Sequence, residues 1–195
     1  MPVCRTVGMD FLKTAPNVIV HVVDIAATPE QIFTVFEDEN SWPQWFSGIK
    51  GVDWTTPKPY GVDTTRTVSL GALKVYEHFF HWEDNKRFAF YFAKTNLPFV
   101  KALVEDYLLE PIDDTMTRFT YTVAYEPAMP LSLLGPLGKA ALSRDFKKAA
   151  VSLSRYMSKI TAVPQFHNID NCLFLSGSSS IGGENKSYKF LRSKR

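Results

Sequence analysis

The sequence predicts an α+β domain in which a curved antiparallel sheet wraps around one long C-terminal helix, with two short helices after the first strand. Two observations lead there. Over 136–160, Leu142, Phe146, Ala149, Ala150, Leu153, Tyr156, Met157 and Ile160 recur at steps of three and four, one stripe of an α-helix. Upstream, over 51–126, short apolar runs with strand alternation follow one another between turn residues. A meander of strands and a single amphipathic helix bury their apolar faces together when the sheet curls around the helix.

Taken in order, residues 1–16 show no period and read as a loose arm. From Asn17, the β-branched run through Val23 has apolar residues on both faces, the pattern of a strand covered on both sides. His21 within it reads as a hydrogen-bonded strand histidine. Thr28-Pro29-Glu30-Gln31 supplies an N-cap, a proline at the first helical position and a capping-box glutamine, so a short helix follows with Ile32, Val35 and Phe36 inward. Asn40 or Ser41 then caps a second short helix through Trp42, Trp45 and Phe46. That much apolar surface belongs against the long helix or over a pocket mouth.

Breaks fall at Pro57, Pro59, Gly61, Gly71, Asp84-Asn85, 96–98 and Asp113-Asp114. Alternation is clearest in Phe88, Phe90, Phe92 and in Phe119, Tyr121, Val123, Tyr125. Pro136 suits the first turn of the long helix and Pro164 is its latest stop, giving a rod of roughly 35 Å at 1.5 Å per residue. Residues 161–195 lose periodicity, include a Ser-Gly-rich stretch, and end with Lys186, Lys189, Arg192, Lys194 and Arg195, a basic tail without a packed core.

Composition narrows the function classes. A net charge of +2 lacks the concentrated basic face that nucleic acid requires, so no nucleic-acid partner is expected. Aromatics make up 14% of the chain, which suits a thick core or a lined cavity. Cys4 and Cys172 stand far apart without metal-ligand spacing, compatible with a reducing compartment. Neither a secretory leader nor a membrane-length apolar run is present in the sequence, so a cytoplasmic location is expected. Dinucleotide, phosphate-loop and metal-binding motifs are missing as well, so neither cofactor nor metal is expected. Oligomeric state stays open.

A family likeness emerges from these residues in order. Residues 25–33, then Asp38, then Trp42-Pro43-Gln44-Trp45 resemble the opening of the START-related helix-grip superfamily, in its polyketide cyclase/dehydrase and lipid-transport branch. Glu77 followed by 82–88, then 102–107, Glu110-Pro111 and 117–123, continue the likeness, which spans about 17–160. The resemblance implies a six- or seven-stranded antiparallel sheet, a C-terminal helix closing a hydrophobic tunnel, and a small hydrophobic ligand such as a lipid or polyketide. It implies either a carrier or sequestering module, or a cofactor-independent cyclase or dehydratase.

Candidate site residues follow. Glu105 and Asp106 are adjacent on one strand, so one of them faces the tunnel and could serve as general acid or base. A two-residue Asp113-Asp114 loop puts Asp106 on the face of Phe119, Tyr121 and Val123, whereas a three-residue loop puts Glu105 there. Glu77 and His78 pose the same alternative. His78 and His81, three apart, are expected on opposite faces. Tyr91, Tyr107 and Tyr121, with Tyr125, are candidates to orient a ligand carbonyl, or else core residues with satisfied hydroxyls. Trp45 and Phe46 are expected at the cavity entrance, with Phe119 and Phe146 along its wall. The 129–137 run is either a buried lead-in to the helix or a loop touching a membrane transiently.

Overall fold

In the computed structural model, residues 2–129 and 131–162 are described. Seven strands, β1 (Asn17–Ile25), β2 (Gly51–Trp54), β3 (Thr65–Leu70), β4 (Leu73–Glu83), β5 (Arg87–Thr95), β6 (Val100–Pro111) and β7 (Thr117–Pro127), form one sheet in the order β1-β7-β6-β5-β4-β3-β2. Every neighbouring pair is antiparallel, so β2 to β7 is a meander and β1 pairs with its last strand. The helices are α1 (Phe11–Thr14), α2 (Pro29–Glu37), α3 (Trp42–Trp45) and α4 (Gly135–Thr161), the last entered through a 3-10 turn at Leu131–Leu134. Gly135 adopts φ +48° at that junction, a left-handed conformation that glycine takes without strain.

Local chemistry sets these elements. At the start of α2 the Thr28 hydroxyl accepts from the Gln31 amide, and the Gln31 side chain accepts from the Thr28 amide. Ile32, Phe33, Val35 and Phe36 are then buried. Trp42 donates its indole N–H to the Phe36 carbonyl at 3.0 Å, which ties α3 to α2. Phe36 in turn sits edge-on to Phe88 and Tyr107, with centroids 5.3 and 5.4 Å away. Such edge-to-face pairs add to what burial alone contributes. From α4, Ala149, Ala150, Leu153 and Met157 are buried against this layer, with Leu142, Phe146 and Tyr156 partly covered. Ile160 departs from the expected stripe: it is 41% exposed, in the last turn of the helix.

Three further expectations need correction. β1 is an edge strand with one covered face; Val20 and Val22 are more than half exposed on the other. His21 is hydrogen-bonded as expected, its Nε2 lying 2.9 Å from the Ser143 carbonyl of α4. The N-terminal residues are not a loose arm. The β5–β6 register ends at Tyr91 and Val104, and the backbone of 3–5 occupies the opening beyond: Cys4 N–H donates to Ala93 O at 3.0 Å and Arg5 N–H to Lys101 O at 2.8 Å. Phe11 is buried on the outer face of the sheet with Ala102, Val104 and Ala124.

Finally, β4 contains a bulge between Phe79 and His81. A bulge adds one residue and reverses the alternation beyond it. Phe79 and Trp82 therefore both belong to the inner core, while His78 pairs with Tyr91 and His81 with Ala89 on the outer face. Each histidine has its own carboxylate, Asp63 at 3.0 Å and Glu83 at 2.9 Å. The expectation of a basic tail falls, beyond Ala162, outside the described residues.

Candidate ligand cavity

The register of the β6–β7 hairpin decides which carboxylate faces inward. Ile112 N–H donates to Met116 O at 2.8 Å, and the Asp113 side chain accepts from both the amide and the hydroxyl of Thr115. The connection is thus three residues, Asp113 to Thr115, and Glu105 pairs with Val123, Tyr107 with Tyr121. Glu105 is 6% exposed on the inner face. Asp106 lies on the outer face, where Arg87 clamps it with two hydrogen bonds of 2.7 and 3.1 Å. Asp106 as a tunnel carboxylate is ruled out by this geometry.

Inside the curl of the sheet is a cavity of about 340 Å³. Its walls are mostly apolar, from Val68 and Val75 through Phe90, Phe92 and Leu103 to Leu142 and Phe146 of α4. Phe46, Ser47 and Gly48 after α3 border it together with Asp145 of α4; Ser47, Gly48 and Asp145 are exposed, which marks the mouth. Away from the mouth, the buried polar side chains of Arg66, Glu77, Glu105 and Tyr107 converge on it. A concave apolar pocket with a few convergent polar groups is the usual form of a small-molecule site.

Arg66 and Glu77 face each other in the β3–β4 register and are joined by a 2.5 Å bond from Nε to Oε2, with their side chains 1% and 5% exposed. The guanidinium is packed among rings, its carbon 4.2 Å from the Trp42 centroid and about 5 Å from those of Trp54, Phe79 and Phe90. Ring faces attract a cation, which offsets part of the cost of removing it from water. Arg66 Nη1 is buried and has no hydrogen-bond partner among the described residues.

Glu105 completes the cluster. Its Oε2 accepts from Tyr121 at 2.7 Å and from Tyr107 at 3.0 Å. Burial, reinforced by the negative charge of Glu77, pushes the Glu105 carboxyl up to about 7, against the pull of the two phenols and Arg66. Burial also raises Glu77, with Arg66 pulling it back. Both phenols are raised well above their ordinary value, chiefly by burial and by the Glu105 charge. Arg66 is bonded to Glu77 and not to Glu105, so Glu105 is the carboxyl of the pair left without a bonded cation. With Oε2 accepting from both phenols, Oε1 is the oxygen left to carry a proton when the carboxyl holds one.

The other expected site residues divide. Phe46, Tyr107, Phe146 and Tyr125 line the cavity. Phe119 and Tyr121 are buried beside Tyr107, and Tyr121 meets the polar cluster through its hydroxyl. Trp45 is 2% exposed, its ring tilted against Trp42 with centroids 4.8 Å apart, and Trp42 takes the lining position expected of Trp45. Tyr91 is on the outer face beside His78. Arg66 is a polar member of the site that is not among the residues expected from the sequence. In Thr65-Arg66-Thr67-Val68-Ser69-Leu70 it shares strand parity with Val68 and Leu70, and an arginine on the apolar face of a strand was the available signal. A larger, open groove of about 570 Å³ runs past Lys58 and Tyr60, but there Lys58 and Glu37 pair at the surface, and it contains no buried polar cluster.

A curved seven-stranded sheet closed by a long C-terminal helix around an apolar cavity defines a helix-grip domain. The chain belongs to the polyketide cyclase/dehydrase and lipid transport family, whose model matches residues 18–158. An uncharacterised protein of Mycobacterium tuberculosis is 38% identical over 167 residues, covering 83% of this chain and 97% of its own. Among solved structures, a START superfamily protein from Mycobacterium smegmatis superposes with a TM-score of 0.64 at 16% identity, over 73% of this chain and 98% of that one. The Zhui aromatase/cyclase from Streptomyces sp. R1128 gives 0.60 at 10% identity, over 75% and 96%. At these identities the two structures show the shared fold. Among the described residues, no helix is long and apolar enough to cross a membrane.

Proposed function

We propose that this protein binds one small hydrophobic molecule inside the sheet, as a carrier or sequestering module, with a polar group of the ligand directed at Arg66 and Glu105. The observation that carries this reading is the convergence of Arg66, Glu77, Glu105 and Tyr107 on an otherwise apolar cavity of about 340 Å³. The Arg66 guanidinium offers an N–H that has no partner among the described residues, and the Glu105 carboxyl offers a second donor whenever it holds its proton, so a ligand carbonyl or carboxyl oxygen is the complementary group. Titration with 1-anilinonaphthalene-8-sulfonate followed by fluorescence tests it. Saturable one-to-one binding, lost when Leu142→Trp fills the cavity, is the expected result. Binding unchanged by Leu142→Trp sinks the assignment.

A second reading, a cyclase or dehydratase, is favoured by one feature: the Glu105 carboxyl is raised to about 7 and is held by two phenols. A carboxyl near neutrality moves a proton in either direction, while Arg66 polarises a carbonyl. Offered a poly-β-keto thioester, Glu105→Gln would then lose turnover and retain affinity. Equal turnover in both proteins removes this reading and leaves the carrier intact.

A further inference from the structure

The solvent side of α4, taken with the 3-10 turn that leads into it, is segregated into an apolar end and a basic end. Leu133, Leu134 and Leu137 are 72%, 56% and 80% exposed, and Met129 beside them is 60% exposed. Leu131 packs against the core, but Met129, Leu133, Leu134 and Leu137 are not the buried lead-in that the composition of 129–137 allowed. At about 100° per residue, Leu137, Arg144, Lys148 and Arg155 fall on one stripe, opposite the Phe146 and Leu153 side that packs inward. Arg144, Lys147, Lys148 and Arg155 flank an open groove of about 380 Å³ that reaches Ser47 at the cavity mouth. Among the described residues only Lys148 of these four has an acidic partner, Asp145, at 3.7 Å.

We propose that this face of α4 docks on an anionic lipid bilayer. Leu133, Leu134 and Leu137 enter the boundary between head groups and acyl chains, and Arg144, Lys147, Lys148 and Arg155 contact lipid phosphates. Two independent features select a bilayer over other occupants. Exposed leucines at a helix start favour leaving water, and a bilayer accepts them at any orientation along its surface. The basic residues continue along the same side for about 27 Å from Leu137 to Arg155 at 1.5 Å per residue, a line of positive charge that matches a continuous sheet of phosphates. The opposite side of the same helix walls the cavity through Leu142 and Phe146. Docking does not depend on what the cavity holds.

The test is co-sedimentation of the full chain with vesicles of phosphatidylcholine alone or mixed with phosphatidylglycerol. Wild type is expected to sediment with the mixed vesicles, to stay largely in solution with phosphatidylcholine, and to be released by salt. The double variants Leu133→Ser/Leu137→Ser and Arg144→Glu/Lys148→Glu are expected each to lower the bound fraction about tenfold, from loss of inserted apolar surface and of phosphate contacts respectively. All four positions are on the surface, and unchanged circular dichroism checks the fold. No sedimentation of wild type with mixed vesicles overturns the proposal. So does sedimentation that survives both variants, as expected if basic residues beyond 162 carry it. A dimer in sedimentation velocity that the leucine variant dissolves, without vesicle binding, assigns the patch to a second copy instead and also overturns it.

Discussion

At the level of single residues, the polar cluster is an arginine and two glutamates held in an aromatic shell. Arg66 is the member that holds the others in balance, because it neutralises Glu77 and moderates Glu105. Removing one partner of a buried pair leaves an uncompensated charge. Arg66→Met is expected to lower unfolding stability at pH 8 by about 3 to 5 kcal/mol. Adding Glu77→Gln should restore most of it, since the orphaned carboxylate is then gone. Urea unfolding of the single and double variants checks this, and strictly additive losses would count against the pairing. The cluster was half legible in the sequence. Glu105 and Asp106 were visible as alternates, but their choice hung on whether the β6–β7 connection has two residues or three. That in turn depends on the Asp113 side chain capping Thr115, which the Asp113-Asp114 pair does not announce.

Among the elements, the best-signposted ones were those whose signals are local. Thr28 and Gln31 cap α2 as their spacing indicated, and Thr28→Ala is expected to cost about 1 kcal/mol, read as a fall in thermal midpoint without change in the folded spectrum. The strands and α4 were likewise readable from alternation and three-four periodicity. What escaped were features set by non-local geometry. The bulge in β4 moves His81 to the face of His78, and no residue type in Phe79-Phe80-His81 marks it. The docking of residues 3–5 follows from β5 and β6 parting after Tyr91, a property of sheet curvature and not of the N-terminal sequence. On α4, Phe146 faces both Tyr121, at 5.5 Å between centroids, and the cavity. Phe146→Ala is therefore expected to destabilise the fold by about 2 to 4 kcal/mol and to admit bulkier probes than wild type. A fall in stability with an unchanged preference for probe size would place the ring in the core alone.

For the whole molecule, the raised Glu105 carboxyl makes stability depend on pH in a direction opposite to ordinary acid denaturation. In the unfolded chain this group titrates at its ordinary 4.5, and in the folded protein at about 7. Below pH 4.5 both states hold the proton, and the group does not discriminate. Between 4.5 and about 7 the folded state binds one proton more, so unfolding free energy falls as pH rises, by up to about 1.4 kcal/mol per unit. Above 7 both states are ionised, and a loss on the order of 3 kcal/mol is complete. Glu77, also raised, acts in the same direction, whereas Asp24, Glu83, Asp113 and Glu126, lowered by their partners, lose stability as pH falls through the acid range. A single profile would blend these, so the informative quantity is the difference between wild type and Glu105→Gln. The amide keeps an acceptor for Tyr107 and Tyr121 and cannot ionise. The two proteins are expected to match near pH 4.5 and to diverge upward, with the variant the more stable at pH 8. Parallel profiles across that interval would mean that Glu105 is charged in the folded state throughout. The cavity floor would then carry a net negative charge at neutral pH and would offer a ligand oxygen no donor beyond Arg66.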